Sequence, residues 1–301
     1  MAITPKNRIR QPISARIFRF LGASLVVIVA ITCLVPFLML ISASFTQEAE
    51  IMRHGYALWP KEFSTEAYQT LFRNPEDIFR AYGVTIFITI VGTFCGLFII
   101  SMTAYVLSRK DFKYRNKLTF FFYFTTLFNG GMISTYIFFI RYLGLKDNLL
   151  ALILPLMFNV FYLLIMRTFI SGIPASIVES AKIDGAGEFR IYGQLILPLA
   201  KPGLATIGLF IALEYWNDWY NAMLYLNNSE LFPLQYLLYR TLSASQALAR
   251  IASQTGIRVA NLPSQSLRMA MAVVAIGPIL LVYPFVQKYF VKGITIGAVK
   301  G

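Results

Sequence analysis

Six runs of this chain, at about 20–44, 82–107, 118–140, 149–170, 197–216 and 269–291, are apolar for 20 residues or more. A bilayer core about 30 Å thick takes roughly 20 helical residues to cross. The expected fold is therefore all-α: a polytopic membrane protein with six transmembrane helices. Asn129-Gly130-Gly131 lies inside the third run, Pro155 and Asn159 inside the fourth, and Pro278 and Pro284 inside the sixth. Such residues would break a soluble helix, but within a bundle neighbouring helices satisfy the freed backbone groups. Small residues also let helices approach closely.

Composition agrees. The chain is 57% hydrophobic and 14% charged, with a mean hydropathy of +0.63, against about a quarter charged in soluble domains. A net charge of +13 would suggest nucleic acid in a soluble chain, yet the basic residues form no stripe. They collect between apolar runs, and cytoplasmic segments carry such an excess. With both termini inside, seventeen of the 27 lysines and arginines face the cytoplasm. They are Lys6, Arg8, Arg10, Arg16 and Arg19, five between Arg109 and Lys117, then Arg167, Lys182, Arg190, Lys201, Lys288, Lys292 and Lys300. No cleavable signal peptide is evident, because the first apolar run is too long for one. Cys33 and Cys95 lie inside apolar runs and His54 stands alone, so no disulfide framework or Cys/His metal site is expected.

The implied organisation is a basic cytoplasmic N-terminus over 1–19 and a single transmembrane domain over 20–301. The domain carries external loops at 46–80 and 217–267, a tight connection at 141–148, and a cytoplasmic loop at 171–202. The first external loop has room for short surface helices, and no internal repeat or low-complexity tract is visible.

The cytoplasmic loop is the informative part. Pro174 suits a first helical turn, and Gly185 and Gly187 suit a helix end that needs a left-handed residue. The expected element is a short helix over 174–184, unstable alone. Ile177, Ser180, Ala181 and Asp184 share one of its faces, kept shallow by Ser180 and Ala181 so that another protein can approach. Phe189, Tyr192 and Leu195 or Ile196 form a second apolar face leading into the fifth run, and Pro198 and Pro202 bend its start. A simpler reading of Ser176-x-x-Glu179 is a capping box, in which Glu179 satisfies its own helix start.

Glu179-Ser180-Ala181, Gly185 and Leu195-x-Leu197-Pro198 resemble the Glu-Ala-Ala loop of ABC importer permeases. That pattern has three residues before the glycine and nine before Ile-x-Leu-Pro; Ser180 and Leu195 are its small departures here. Asn129-Gly130-Gly131-Met132, Ile183-Asp184-Gly185-Ala186, Trp216-Asn217-Asp218-Trp219 and the ending YPFVQKYFVKGITIGAVKG extend the resemblance to carbohydrate-uptake permeases over nearly the whole chain. Among these it is similar to the maltose-transporter G-type subunit and to the subgroup for complex oligosaccharides, including uronate-containing ones. The resemblance implies a multi-pass protein of the bacterial inner membrane. It also implies a coupling helix between the fourth and fifth spans that docks on a cytoplasmic ATPase, with Ile177, Glu179, Ser180, Ala181, Asp184, Gly185, Ala186, Gly187, Leu195 and Pro198 as coupling residues. The expected partners are a homologous second permease subunit, two ATPase subunits, an extracytoplasmic solute-binding protein and membrane lipid, with no nucleic acid. The chain itself binds no cofactor in this reading; ATP and magnesium belong to the ATPase.

Ionisable groups inside spans are costly and default to functional candidates. Glu214 and Asp218, set among Trp216, Asn217, Trp219 and Tyr220, suit stacking on sugar rings and hydroxyl recognition, although Trp219 and Tyr220 equally fit an interfacial aromatic belt. Asn129 and Asn159 either line a translocation path or bond neighbouring helices. Arg240, Arg250 and Arg258 sit in an external stretch, 231–267, that lacks Asp and Glu. They suit contact with an acidic binding protein or an acidic oligosaccharide, the alternative being scattered solvent-facing charges. Two rival classes are weaker. A membrane enzyme needs an assembled nucleophile, acid/base pair or metal cluster, and a secondary transporter needs midplane carboxylates and an internal repeat. No Gly-x-x-x-x-Gly-Lys-Ser/Thr loop for ATP is present, so the energy must come from another subunit.

Overall fold

A computed structural model describes residues 13–255 and 265–280 of the chain. Arg258, Pro284, the closing YPFVQKYFVKGITIGAVKG segment and the basic residues before position 13 lie outside the described residues. The regular elements among the described residues are all helices, and one isolated bridge joins Thr46 to Phe63. They divide into two compact units.

Of the described residues, the first unit comprises 13–71, 252–255 and 265–274. Its α1 (Ile13–Ser44) is exposed over most of its length, as an apolar helix bathed in lipid or covered by a partner would be, and is buried only at its end, Ser42–Ser44. The expected loop at 46–80 holds two short helices, α2 (Glu48–His54) and α3 (Glu66–Leu71). Phe45 stacks on Phe63 and Tyr68 at 5.6 and 4.7 Å, closing the loop over the end of α1. The Glu48 carboxylate accepts from the backbone N–H of Gln265 at 3.0 Å and of Ser266 at 2.9 Å. Those N–H groups open the helix 265–280 and have no partner within it.

The second unit comprises 72–251 and 275–280, and α4 (Pro75–Ser108) is its axis. Pro75 starts that helix seven residues before the expected span, since its missing N–H costs nothing in a first turn. Gly92 and Gly96 form a small-x-x-x-small seam on α4. A Cβ at Gly92 would lie 2.2–2.7 Å from three carbons of the Tyr215 ring, and one at Gly96 would lie 2.8 Å from the Met157 carbonyl oxygen. Only glycine permits helices this close.

The third, fourth and fifth apolar runs are broken rather than continuous. The third divides into α5 (Arg115–Leu127) and α6 (Gly131–Ile137), the latter extended by a wide turn, Phe138–Tyr142. The Asn129 side chain accepts from Gly131 N at 2.9 Å, and Gly131 has φ +83°. The fourth divides into α7 (Leu150–Ile153), with a 3-10 turn Leu154–Leu156, and α8 (Val160–Ser171), bent by 53°. Pro155 offers no N–H to the carbonyl of Ala151, and the extended Asn159 caps α8 by accepting from Phe161 N at 2.9 Å. Asn129 and Asn159 are thus tied to their own backbones at the breaks, a role that neither expected alternative included. Removing the cap by Asn159→Ala should cost about 1 kcal/mol, read as a lowered midpoint of thermal unfolding in detergent.

The fifth run begins earlier than expected. After α9 (Ala175–Ile183), α10 (Glu188–Ile191), a π-turn Tyr192–Ile196 and α11 (Leu197–Leu199) form one arm; α12 (Lys201–Asn217) forms the other, at 81°. The bend falls at Ala200, between Pro198 and Pro202, which offer no N–H to the carbonyls of residues 194 and 198. Among the described residues, α1 and α4 alone are single helices long and apolar enough to cross a membrane, while the two bent pairs reach that length as pairs.

The described part of the expected external loop, 217–255, is largely helical. It holds α13 (Tyr220–Tyr225), a 3-10 turn Ser229–Leu231 and the long α14 (Leu234–Thr255). Leu234, Leu238 and Ser245 are buried at helical spacing. The buried Thr85 hydroxyl of α4 accepts from Leu234 N at 2.8 Å and anchors the start of α14. The helix Gln265–Leu280 (α15) covers the described part of the sixth run.

Candidate coupling site

The short helix α9 starts at Ala175 with Pro174 outside it, one residue later than expected. Its N-terminus has no side-chain cap, so Ser176 and Glu179 do not form a capping box. Its C-terminus is a full Schellman turn. Gly185 N–H donates to Lys182 O at 3.0 Å, Ala186 N–H donates to Ala181 O at 2.9 Å, and Gly185 has φ +77°. Gly187 is not left-handed; at φ −70°, ψ 158° it is the extended residue that opens α10.

Burial corrects the expected face. Val178 is buried, and Ala181, Ala186 and Leu195 pack with it against the core. Ala181 therefore belongs to the anchoring side. Ile177 is half-buried, whereas Glu179, Ser180 and Asp184 are exposed. Two apolar side chains stand out in solvent beside them: Ile183 is 86% exposed and Phe189 80%. Sequence reasoning overlooked Ile183 and placed Phe189 on the buried face with Tyr192 and Ile196, which are indeed buried. The spacing of 176, 179, 180 and 183 held the signal, since those positions share a helix face opposite Val178. Pro198 is exposed within α11.

Beneath α9 lies a cavity of about 250 Å³ lined by Tyr105, Asp111, Ile170, Val178 and Glu179 among others. Arg167 donates from Nε to Leu107 O at 3.2 Å, meeting one of the unpaired carbonyls at the end of α4. At the rim, hydrogen bonds from Arg109 and then Lys182 hold the Asp111 carboxyl well below the usual carboxylate range, outweighing desolvation. The Lys182 ammonium is held up chiefly by its hydrogen bond to Glu188. Both stay charged at neutral pH. The contribution of Asp111 is complete above the ordinary carboxylate range and is lost as pH falls towards its lowered value.

The candidate substrate-path residues at the far end of α12 are locally engaged. Tyr162 donates from its hydroxyl to Glu214 Oε1 at 2.6 Å, and Trp216 donates from Nε1 to Ala275 O at 3.1 Å. Asp218 accepts from Asn221 through both backbone and side chain, a turn closure at the start of α13. Asn217 is exposed, donating to Leu213 O at 2.8 Å and accepting from Gln235 at 3.3 Å. Trp219 stacks on Tyr239 at 4.5 Å. Arg240 lies over the buried Phe232 ring at 4.9 Å, partly a packing contact, and Arg250 is exposed on the same helix.

Long apolar helices, broken and bent around a close-packed axis, with one short exposed helix ending on a left-handed glycine, are those of a membrane protein. No family model matches the chain. It is 42% identical over 286 residues to a polygalacturonan/rhamnogalacturonan transport system permease protein of Bacillus subtilis, covering 95% of this chain and 99% of that one. It is 29% identical to the trehalose/maltose transport system permease protein of Thermococcus litoralis, covering 97% and 99%. Among solved structures, a bacterial ABC transporter involved in the import of the acidic polysaccharide alginate matches with a TM-score of 0.76 and 32% identity, covering 95% of this chain and 100% of that one. The chain belongs to the ABC importer permeases of the carbohydrate-uptake type.

Proposed function

We propose that this chain is one of two related permease subunits in an oligosaccharide importer of the bacterial cytoplasmic membrane. It crosses six times with both termini inside and presents α9 to one of two ATPase subunits, while a solute-binding protein delivers substrate outside. The observation that carries this reading is the asymmetry of α9. Its inner side is anchored through Val178, Ala181 and Ala186, and its outer side offers Glu179, Ser180, Ile183 and, beyond the turn, Phe189. Apolar side chains so exposed on a small polar helix suit burial by a partner. ATP and magnesium act on the ATPase, whose closure would shift α9 as a rigid body and open the permease to the outside.

Co-expression tests it. Binding-protein-stimulated ATP hydrolysis is expected only when this chain, a second permease and the ATPase are present together; uptake by this chain alone would overturn the reading.

A second reading concerns charge. One relative is described as importing the acidic polysaccharide alginate and the Bacillus subtilis relative is named for polygalacturonan and rhamnogalacturonan, which is the ground for a reading with uronate-containing oligosaccharides. Replacing Arg240, Arg250 and Arg258 with Gln should then flatten the salt dependence of stimulated hydrolysis, because exposed charges are screened beyond about 8 Å at physiological salt. An unchanged slope with intact assembly would make these charges incidental.

A further inference from the structure

Three separate stretches meet where α9 ends. Lys182, in the last turn of α9, donates to Asp111 Oδ2 at 3.3 Å and pairs with Glu188 Oε1 at 2.8 Å. Arg109, just past α4, pairs with Asp111 Oδ2 at 2.6 Å and with Glu188 Oε1 at 3.8 Å. Tyr105 of α4 donates to the other oxygen of Glu188 at 2.6 Å. Positive and negative groups alternate around a closed ring, and every member touches two others or more. One layer deeper, the Ser101 and Tyr192 hydroxyls share a buried hydrogen bond of 2.7 Å, joining α4 to the π-turn after α10.

Isolated exposed ion pairs contribute little, and Asp111 and Glu188 are each more than half exposed. This ring differs from such pairs in three respects. Arg109 is only 18% exposed and Tyr105 is buried, so two members are already fixed by packing. The Schellman turn at Gly185 sets Lys182 and Glu188 side by side, so their pairing costs little further ordering. Lys182 also ends one helix and Glu188 begins the next, where each charge is favoured by the helix dipole.

We propose that Lys182, Asp111, Glu188 and Arg109 lock α9 to the end of α4. A push on α9 then moves the close-packed axis of the permease as well as α12. The inference rests on the reading of α9 as the coupling helix. Lys182 and Asp111 are positioning residues, acting through α4 and touching neither substrate nor nucleotide. The ring also explains why the loop after α4 carries an acidic residue amid Arg109, Lys110, Lys113 and Arg115.

The test uses the whole reconstituted complex with its binding protein. Stimulated hydrolysis by the unmodified complex comes first; its absence would sink the coupling reading and the lock with it. Lys182→Glu, which sets three carboxylates together, should lower stimulation at least about fivefold, the lower end of ordinary coupling factors, with assembly intact. Lys182→Arg should behave as wild type. Should Lys182→Glu not assemble, a cysteine pair decides. In a background with Cys33 and Cys95 replaced by Ala, Asp111→Cys with Lys182→Cys breaks the ring and should be poorly coupled. Bridging the two thiols with a short bifunctional reagent should restore stimulation. Wild-type coupling in Lys182→Glu, or a bridge that stops turnover instead of restoring it, would overturn the proposal.

Discussion

Gly185→Val is expected to yield an assembled importer whose ATP hydrolysis no longer answers to substrate. Nothing lies within 4 Å of a Cβ built at Gly185, so the site has room for a side chain. The obstacle is the backbone: φ +77° is left-handed, and a β-branched residue is strongly disfavoured there. Such strain costs of order 1–3 kcal/mol. It is relieved by unwinding the turn, with loss of the bonds from Gly185 N–H to Lys182 O and from Ala186 N–H to Ala181 O. The helix α9 would then keep its residues but lose its fixed angle to α10. Stimulated hydrolysis should fall by about tenfold or more, within the ordinary range of coupling factors, while membrane insertion survives. Conformation rather than size is at stake, so Gly185→Asn should retain much of the coupling, because Asn tolerates the left-handed region. Full stimulation in assembled Gly185→Val would show that the turn transmits nothing.

Gly92→Leu should fail differently, by loss of folded protein. The Tyr215 ring occupies the place of a side chain at Gly92. That ring is fully buried and cannot swing aside freely, because its hydroxyl donates to Ile153 O at 2.6 Å. Moving the ring breaks that bond and leaves the buried hydroxyl without its partner, at about 1–3 kcal/mol. Overpacking adds about 1–3 kcal/mol. Little of the variant should survive detergent extraction, and what does should unfold at a clearly lower temperature. Adding Tyr215→Leu should recover part of the yield, since contacting positions do not act additively. Wild-type yield and stability in Gly92→Leu alone would refute this packing of α4 against α12.

Much of this was legible in the residues. The apolar runs marked α1 and α4, the Glu179-to-Pro198 spacing marked the loop that is here proposed to couple to the ATPase, and a left-handed glycine was expected at Gly185. Prolines and amides marked the breaks, yet not their form. Asn129 and Asn159 read equally well as pore or packing residues, because a side chain that caps its own helix leaves no trace in apolar periodicity. The helix α14 escaped notice because its buried positions include Tyr236 and Ser245 beside leucines, a pattern too polar to stand out in a chain so apolar.

Local chemistry, then, was determined by the sequence alone: which segments are apolar enough to be helices in a bilayer, where a proline or glycine stops them, and which loop carries the coupling pattern. Such features depend on neighbours within a few residues. What the tertiary structure decided are the relations between distant segments. It set the 53° and 81° bends, the turning of Ala181 inward and Phe189 outward, and the meeting of Asp111 with Lys182, 71 residues apart, and of Tyr162 with Glu214, 52 apart. Those depend on how ridges and gaps of separate helices fit, and the same helices with the same caps could cross at other angles. The seam of Gly92 and Gly96 against Tyr215 and Met157 helps select one of them, because the bare backbone there lets the neighbouring side chain and carbonyl close upon it.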